Sequence, residues 1–237
     1  MSKKKSRPKT CAHCGKKKTP WNDDHIPPLC LFANRHNSKV PSCIDCNNGA
    51  SQDDEYFRNI LSFRASTASQ PSMGPILNAA NRALSKPQQQ SFLKSLQKKV
   101  RWAPSQTNSG IILPDQPELE VEMKRIHRVA TRIISGLFFL NKGFPVPSSH
   151  QIVCMAEEIL QDISLEKQED ILLAVYELCV KSPEFVVGSA NEFNYRFGFV
   201  PSVDQFTSKW LLFFHKEFAF FGAVVPKMGL QGLGRGV

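Results

Sequence analysis

The stretch from Cys11 to Asn47 decides the fold of the amino-terminal part of the chain. It reads Cys11-Ala-His-Cys14, then Asp23-Asp24-His25-Ile-Pro-Pro28, then Cys43-Ile-Asp-Cys46-Asn47. A Cys-x-x-Cys turn brings two thiolates to one ion, and two such turns complete a tetrahedral four-sulfur zinc shell. We therefore expect a structural zinc ion bound by Cys11, Cys14, Cys43 and Cys46.

Two disulfides, or reduced cysteines without a role, are the alternatives to a zinc site. The two matched pairs argue against both, and the sequence contains no signal peptide that would indicate an oxidising compartment. A structural zinc ion of this kind contributes about 10–16 kcal/mol to the folding of a small element that has little core of its own.

The residues between the two cysteine pairs predict a second, reactive metal site. If Asp24 and His25 lie in an extended segment, their side chains point to opposite faces. Asp24 can then hold a metal while the imidazole stays free to take a proton from water. Asn47 offers a neutral oxygen to a hard cation such as Mg²⁺ or Mn²⁺. The alternative is a capped turn that precedes Pro27 and Pro28.

Together these motifs resemble the HNH endonucleases, whose ββα-metal core often lies on a four-cysteine zinc site. The resemblance covers roughly residues 8–64 and is carried by the two Cys-x-x-Cys pairs, Asp24-His25-Ile-x-Pro28 and Asn47. It implies that His25 is the general base and that Asp24 and Asn47 bind the catalytic Mg²⁺ or Mn²⁺ ion. It also implies a DNA substrate, with RNA as an alternative.

The sequence departs from the family pattern at three points. The middle Asn, which braces the ββ loop in the family, is replaced by Ser38, although Asn37 is its neighbour. The last family position, often His, is Asn47, which keeps an oxygen ligand. The basic residue expected a few positions later is absent, because Gly49-Ala50-Ser51 stands there. Phosphate must then be gripped by residues elsewhere.

Charge also points to a polyanionic partner. The 237 residues carry a formal net charge of +9, and the first twenty residues contain eight Lys and Arg residues and no acid. We expect Lys16, Lys17 and Lys18 to contact nucleic acid. Lys124, Arg128 and Arg132 recur at helical spacing and predict either a second phosphate-contacting ridge or an ordinary solvated helix face.

The predicted fold class is α+β. A ββα-metal, treble-clef zinc module over residues 10–64 precedes a mainly helical region with a small carboxy-terminal antiparallel sheet, over residues 76–228. Composition predicts a linker over residues 65–75, a flexible basic tail over residues 1–9 and a glycine-rich tail over residues 229–237.

Periodicity gives the individual elements. Short strands are expected near Trp21–Ile26 and around Val40. Helices are expected over residues 51–64, 76–84, 87–100, 118–140, 151–163 and 166–180. Residues 101–116 read as an irregular link with a short strand at 111–113. Three strands are expected over residues 193–199, 209–215 and 218–225, with a tight turn at Lys216-Glu217.

The longest apolar stretches are far shorter than the roughly 20 residues of a membrane span. We therefore expect a soluble, cytoplasmic protein without a membrane partner. The sequence leaves the oligomeric state open, a dimer included. The alternative to an enzyme is a non-catalytic, zinc-stabilised module that binds nucleic acid or protein. A structural protein with an unrelated carboxy-terminal activity has less support, because no phosphate-binding glycine loop or second carboxylate cluster is present.

Overall fold

A computed structural model describes residues 9–18, 20–106, 112–157 and 164–227 of the chain. Helices and antiparallel sheets make up the fold, which confirms the predicted α+β class. Most of the predicted basic tail, the whole glycine-rich tail and the side chain of Lys18 lie outside the described part.

The amino-terminal module consists of two short hairpins followed by two helices. In chain order its elements are β1 (Lys9–Thr10), β2 (Lys17–Lys18), β3 (Trp21–His25), β4 (Lys39–Cys43), α1 (Ile44–Asn48) and α2 (Ser51–Phe63). β1 pairs antiparallel with β2, and β3 pairs antiparallel with β4. The expected strands near Trp21 and Val40 and the expected helix from Ser51 are therefore confirmed.

The pleat of β3 separates the two residues of the Asp-His pair. Asp24 lies opposite Val40 and is buried, whereas His25 lies opposite Lys39 and is partly exposed. Successive residues of a strand point to opposite faces, so the side chains of Asp24 and His25 diverge as expected.

The sequence Ser51-Gln-Asp-Asp54 predicts a capping motif at the start of α2, but the helix begins without a side-chain cap. Ala50 occupies the cap position and makes no side-chain cap hydrogen bond. Asp53 and Asp54 lie in the first turn, where carboxylates are favourable to the helix dipole. Their side chains, however, point to arginines on a distant helix.

The predicted linker over residues 65–75 is instead part of the packed structure. It contains α3 (Ala65–Ala68) and a 3-10 turn at Pro71–Met73, and the Met73 side chain is fully buried. α4 (Gly74–Leu84) agrees with the expected helix 76–84. α5 (Gln90–Gln97) is shorter than the expected helix 87–100, because a 3-10 turn forms its start and Val100 belongs to a strand.

A hairpin replaces the irregular link expected over residues 101–116. β5 (Val100–Gln106) pairs antiparallel with β6 (Ile112–Leu119), and Leu119 lies opposite Val100. This pairing occupies residues 118 and 119. The following helix, α6 (Met123–Lys142), therefore begins five residues later than periodicity alone predicts.

The helix predicted over residues 151–163 is wrong where the structure describes it. β7 (His150–Ala156) occupies that position, and residues 158–163 lie outside the described part. Ile152 and Cys154 pack against the core, whereas Gln151 and Val153 are exposed. That alternation has the period of a strand, and pairing with a neighbouring strand overrides the helical pattern.

A five-stranded antiparallel sheet closes the carboxy-terminal part. Besides β7 it contains β8 (Phe185–Val186), β9 (Phe193–Phe199), β10 (Ser208–Phe214) and β11 (Phe218–Pro226), in the order β7-β11-β10-β9-β8. The three predicted strands form the meander β9-β10-β11. His215 and Lys216 have positive φ angles in the turn between the last two strands. α7 (Leu165–Lys181) packs against β9 and β10.

α6 is the helix on which both parts of the chain pack. Its buried residues include Ile133, Ile134 and Leu137, and one continuous hydrophobic core extends from Ala12 and Ile26 to the strands of the large sheet. Although α6 has 20 residues, neither it nor any other described helix combines the length and the apolar character that a membrane crossing requires.

Replacement of Gly136 by Ala tests the contact between α6 and the end of β3. A Cβ atom at Gly136 would lie 2.5, 2.7 and 3.0 Å from three side-chain carbons of Ile26, so that side chain cannot simply turn away. We expect Gly136→Ala to lower the free energy of unfolding by about 1–3 kcal/mol in urea denaturation. Gly74→Ala is the matched control, because a Cβ there meets no atom within 4 Å. Equal stability of both variants would contradict this packing.

Candidate metal centre and adjoining cavity

The four predicted cysteines form one cluster. The sulfur atoms of Cys11, Cys14, Cys43 and Cys46 all lie within 4.8 Å of one another. None of the seven cysteines is bonded to another in the structure, which argues against the disulfide alternative. Four thiolates at this separation can hold a metal ion such as zinc.

Backbone hydrogen bonds favour the thiolate form of Cys11. Burial alone would raise the pKa of this thiol, but backbone N–H groups, that of Cys43 foremost, lower the pKa to about 6. The Cys43 N–H donates to Cys11 Sγ over 3.3 Å. A metal ligand must be deprotonated, so this hydrogen bond favours the binding form of the cysteine at neutral pH.

Beside the cluster, the three predicted catalytic residues line one cavity. Asp24, His25 and Asn47 surround a space of about 320 Å³. Asp23, Asp54 and Glu55 line the same cavity, which is therefore rich in carboxylates. β3 supplies the Asp-His pair, and α1, which starts at the second cysteine pair, supplies Asn47.

Asp24 has two partners that the sequence did not predict. Its Oδ2 atom lies 2.9 Å from His13 Nε2 and 3.7 Å from Arg132 Nε. His13 lies between the two cysteines of the first pair, and Arg132 lies on α6. Both contacts are made by Oδ2. With respect to these two partners, Oδ1 of Asp24 remains able to accept a hydrogen bond. The position of His13 inside the cysteine turn is the one sequence signal that could have indicated this contact.

The surroundings of His25 favour its neutral form. Partial burial lowers the pKa of its imidazole, the positive charges of Lys39 and Arg35 act in the same direction, and the charge of Asp24 opposes them. A neutral imidazole can accept a proton at neutral pH, which a general base requires.

The loop between β3 and β4 is braced by His36. Its Nε2 atom donates to the Pro27 carbonyl oxygen over 2.9 Å, and its ring contacts that of His25 edge-on at 5.6 Å between centroids. Asn37, the neighbour of Ser38, is exposed. His36 lies two residues before Ser38, the position of the family's middle Asn.

The basic residues predicted on α6 differ in their availability. Arg132 is about nine-tenths buried and contacts Asp54 at 2.6 Å. Arg128 contacts Asp53 at 2.6 Å and is 60% exposed. Only Lys124 of the three has an exposed cation without an ion-pair partner among the described residues. Two of the three predicted contacts are thus ion-paired within the protein, and Arg132 is also buried.

Asp54 lines the smaller cavity and also contacts Arg132. Burial is the main cause that raises the pKa of its carboxyl to about 6, although Arg132 acts in the opposite direction. Oδ2 binds Arg132, whereas Oδ1 is buried without a hydrogen-bond partner. The charges of Asp24 and Asp53 add to the rise.

A second, larger cavity of about 1030 Å³ shares Asp54 with the first. His13, Arg128 and Arg132 line it, and two exposed lysines, Lys16 and Lys227, add positive charge. Lys17, on β2, is also exposed. Of the described lysine side chains expected to contact nucleic acid, Lys16 lines this cavity, whereas Lys17 and Lys124 do not.

Replacement of single cysteines tests the metal centre. The purified protein should contain about one zinc ion per chain by mass spectrometry of the metal. Cys46→Ser should lower that content to near zero and destabilise the module, because three thiolates leave the tetrahedral shell incomplete. Cys179→Ser is the matched control, since Cys179 is exposed and lies outside the cluster. Full zinc content in Cys46→Ser would refute the site.

Comparison of the chain with models of protein families, with curated proteins and with solved structures finds no match in any of the three.

Proposed function

We propose that the chain is a metal-dependent endonuclease of the HNH type, which hydrolyses phosphodiester bonds in DNA. The observation that supports this proposal is the meeting of Asp24, His25 and Asn47 in one cavity beside a four-cysteine cluster. Asn47 lies 22 positions after His25 in the sequence, and the fold brings it to the Asp24-His25 pair. Each offers the chemistry that its role requires: a carboxylate, an imidazole and an amide oxygen.

Asp24 and Asn47 are the proposed ligands of a catalytic Mg²⁺ or Mn²⁺ ion. Both offer oxygen atoms, which hard divalent cations prefer, and Oδ1 of Asp24 remains for this purpose while Oδ2 is held by His13. When bound, the ion would neutralise charge on the scissile phosphate and on the leaving oxygen.

His25 is the proposed general base. It follows Asp24 on β3, so the two side chains diverge, and its imidazole lines the same cavity as the carboxylate. Its lowered pKa keeps the ring neutral and able to take a proton from the attacking water. The ring contact with His36 limits its orientations.

Lys39 and Arg35 are the residues that we propose bind the phosphate. They take the place of the basic residue that the family pattern has after Asn47 and that this sequence lacks. Both are exposed, and both are close enough to lower the pKa of His25. Neither forms an ion pair with another described residue, whereas Arg58 is paired with Glu55 and Arg132 with Asp54. Unpaired cations beside the base are available to a phosphate.

A non-catalytic, zinc-stabilised binding module is the second candidate. The contacts that His13 and Arg132 make to Asp24 favour it, because they compete with a metal ion for the carboxylate. Zinc-dependent DNA binding without cleavage in Mg²⁺ or Mn²⁺ would support this candidate. We also propose a cytoplasmic location, since thiolate zinc sites persist in reducing compartments.

Replacement of His25 tests the nuclease proposal. The wild-type protein should convert supercoiled plasmid to nicked or linear DNA in Mg²⁺ or Mn²⁺ and should not do so in EDTA. His25→Ala should lower the rate by at least about 100-fold, the contribution typical of a general base, while the zinc content and the thermal midpoint stay unchanged.

The matched control is His127→Gln, which replaces another partly buried histidine that does not line the smaller cavity. This variant should cut at close to the wild-type rate. Undiminished cleavage by His25→Ala would end the assignment of the base, and a wild-type protein that binds DNA but cuts in neither metal would favour the binding module.

Replacement of Lys39 tests the phosphate contact separately from catalysis. In the His25→Ala background, Lys39→Ala should weaken binding to a DNA duplex and make the slope of log K against log salt shallower by about 0.9, as the loss of one phosphate contact requires. Lys86→Ala, at an exposed position between α4 and α5, should leave the slope unchanged. An unaltered slope in Lys39→Ala would remove Lys39 from the interface.

A further inference from the structure

α7 has apolar residues on two opposite faces. Ala174 and Leu178 are buried and face the sheet. On the other side, five large apolar side chains are between 56 and 76% exposed, namely Leu165, Leu172, Leu173, Tyr176 and Val180. We call these five residues the outer stripe of α7.

The outer stripe has the geometry of a packing face. Successive helical residues are about 100° apart, which places the five side chains within an arc of about 100° directly opposite Ala174. A surface helix is normally polar on the side that faces away from the core. Contiguous exposed apolar side chains of this size usually mark an interaction surface.

We propose that the outer stripe binds the outer stripe of a second copy of this chain, with the two α7 helices antiparallel about a two-fold axis. Four of the five residues of the stripe are symmetric about the midpoint between Leu172 and Leu173, and Tyr176 has Glu169 as its counterpart. In an antiparallel pair centred there, Leu172 faces the partner's Leu173, and Leu165 faces the partner's Val180. An isologous interface requires such self-complementarity.

The charges on α7 fit the same arrangement. The amino-terminal half of α7 carries three acids and one lysine, whereas Glu177 and Lys181 in the other half pair with each other at 3.6 Å. Antiparallel pairing places the acidic half of one helix beside the neutral half of the other, whereas parallel pairing would place the two acidic halves side by side. In the antiparallel arrangement the two helix dipoles point in opposite directions, which is favourable. Tyr176 faces the partner's Glu169 and is an amphipathic aromatic residue of the kind enriched in interfaces.

The mass of the protein in solution tests this pairing. Size-exclusion chromatography with light scattering should give twice the chain mass of 26.6 kDa for the full chain at micromolar concentration. Leu172→Glu places a carboxylate beside the two-fold axis and should give 26.6 kDa with unchanged zinc content and circular dichroism. The matched control is Val203→Glu, an apolar-to-acidic change at a similarly exposed residue outside α7, which should remain dimeric.

A wild-type monomer would overturn the proposal, because the stripe would then be covered from within the chain or not at all. A dimer that persists in Leu172→Glu would place the interface elsewhere.

Cross-linking tests the register and does not depend on the folding of Leu172→Glu. In a Cys179→Ser background, Leu165→Cys combined with Val180→Cys should form a disulfide-linked dimer when copper phenanthroline and air oxidise the two thiols. Leu165→Cys alone should not, because the two copies of residue 165 lie at opposite ends of an antiparallel pair. A cross-linked dimer from the single variant would show parallel helices and overturn the arrangement. Neither readout involves cleavage, so the nuclease proposal and this one fail independently.

Discussion

A single guanidinium joins the candidate site to the core of the protein. Arg132 on α6 contacts Asp54 of α2 at 2.6 Å and lies 3.7 Å from Asp24 of β3. The side chain of Arg132 is about nine-tenths buried, and removal of one partner from such a pair typically costs about 3–5 kcal/mol, because a charge is left uncompensated. Three segments that are distant in sequence are therefore held at fixed positions around one charge, and the orientation of the Asp24 carboxylate depends on a helix more than 100 residues away.

The parts of this arrangement that could be predicted from the sequence are local. Cysteine spacing alone identified the four-sulfur cluster, since the Cys-x-x-Cys turn imposes its own geometry. The separation of Asp24 and His25 follows from the alternation of a strand, and the meander β9-β10-β11 follows from its apolar runs. In each case the decisive interaction lies within a few residues or repeats with a fixed period.

The parts that the sequence concealed depend on partners that are distant in the chain. The motif at Ser51 predicts a helix cap, but Asp53 and Asp54 bind Arg128 and Arg132 instead, and nothing near Ser51 indicates those partners. The contact of His13 with Asp24 likewise joins two motifs that lie apart in the sequence. The segment of β7 fits a helical period as well as that of a strand, because it is short and apolar, and only its pairing with β11 decides between them.

The large sheet also has a consequence for the site, because it holds the loop between β3 and β4. His215, buried in the turn after β10, donates from Nε2 to the Leu31 carbonyl oxygen over 3.1 Å. The buried carboxylate of Glu192 accepts the N–H of Ala33 over 2.7 Å. These two contacts fix the loop immediately before Arg35, whose charge acts on His25, and His36, whose ring contacts that of His25. A zinc knuckle and hairpin alone would leave that loop without these anchors, so the carboxy-terminal part of the chain acts as a scaffold that orients the candidate site.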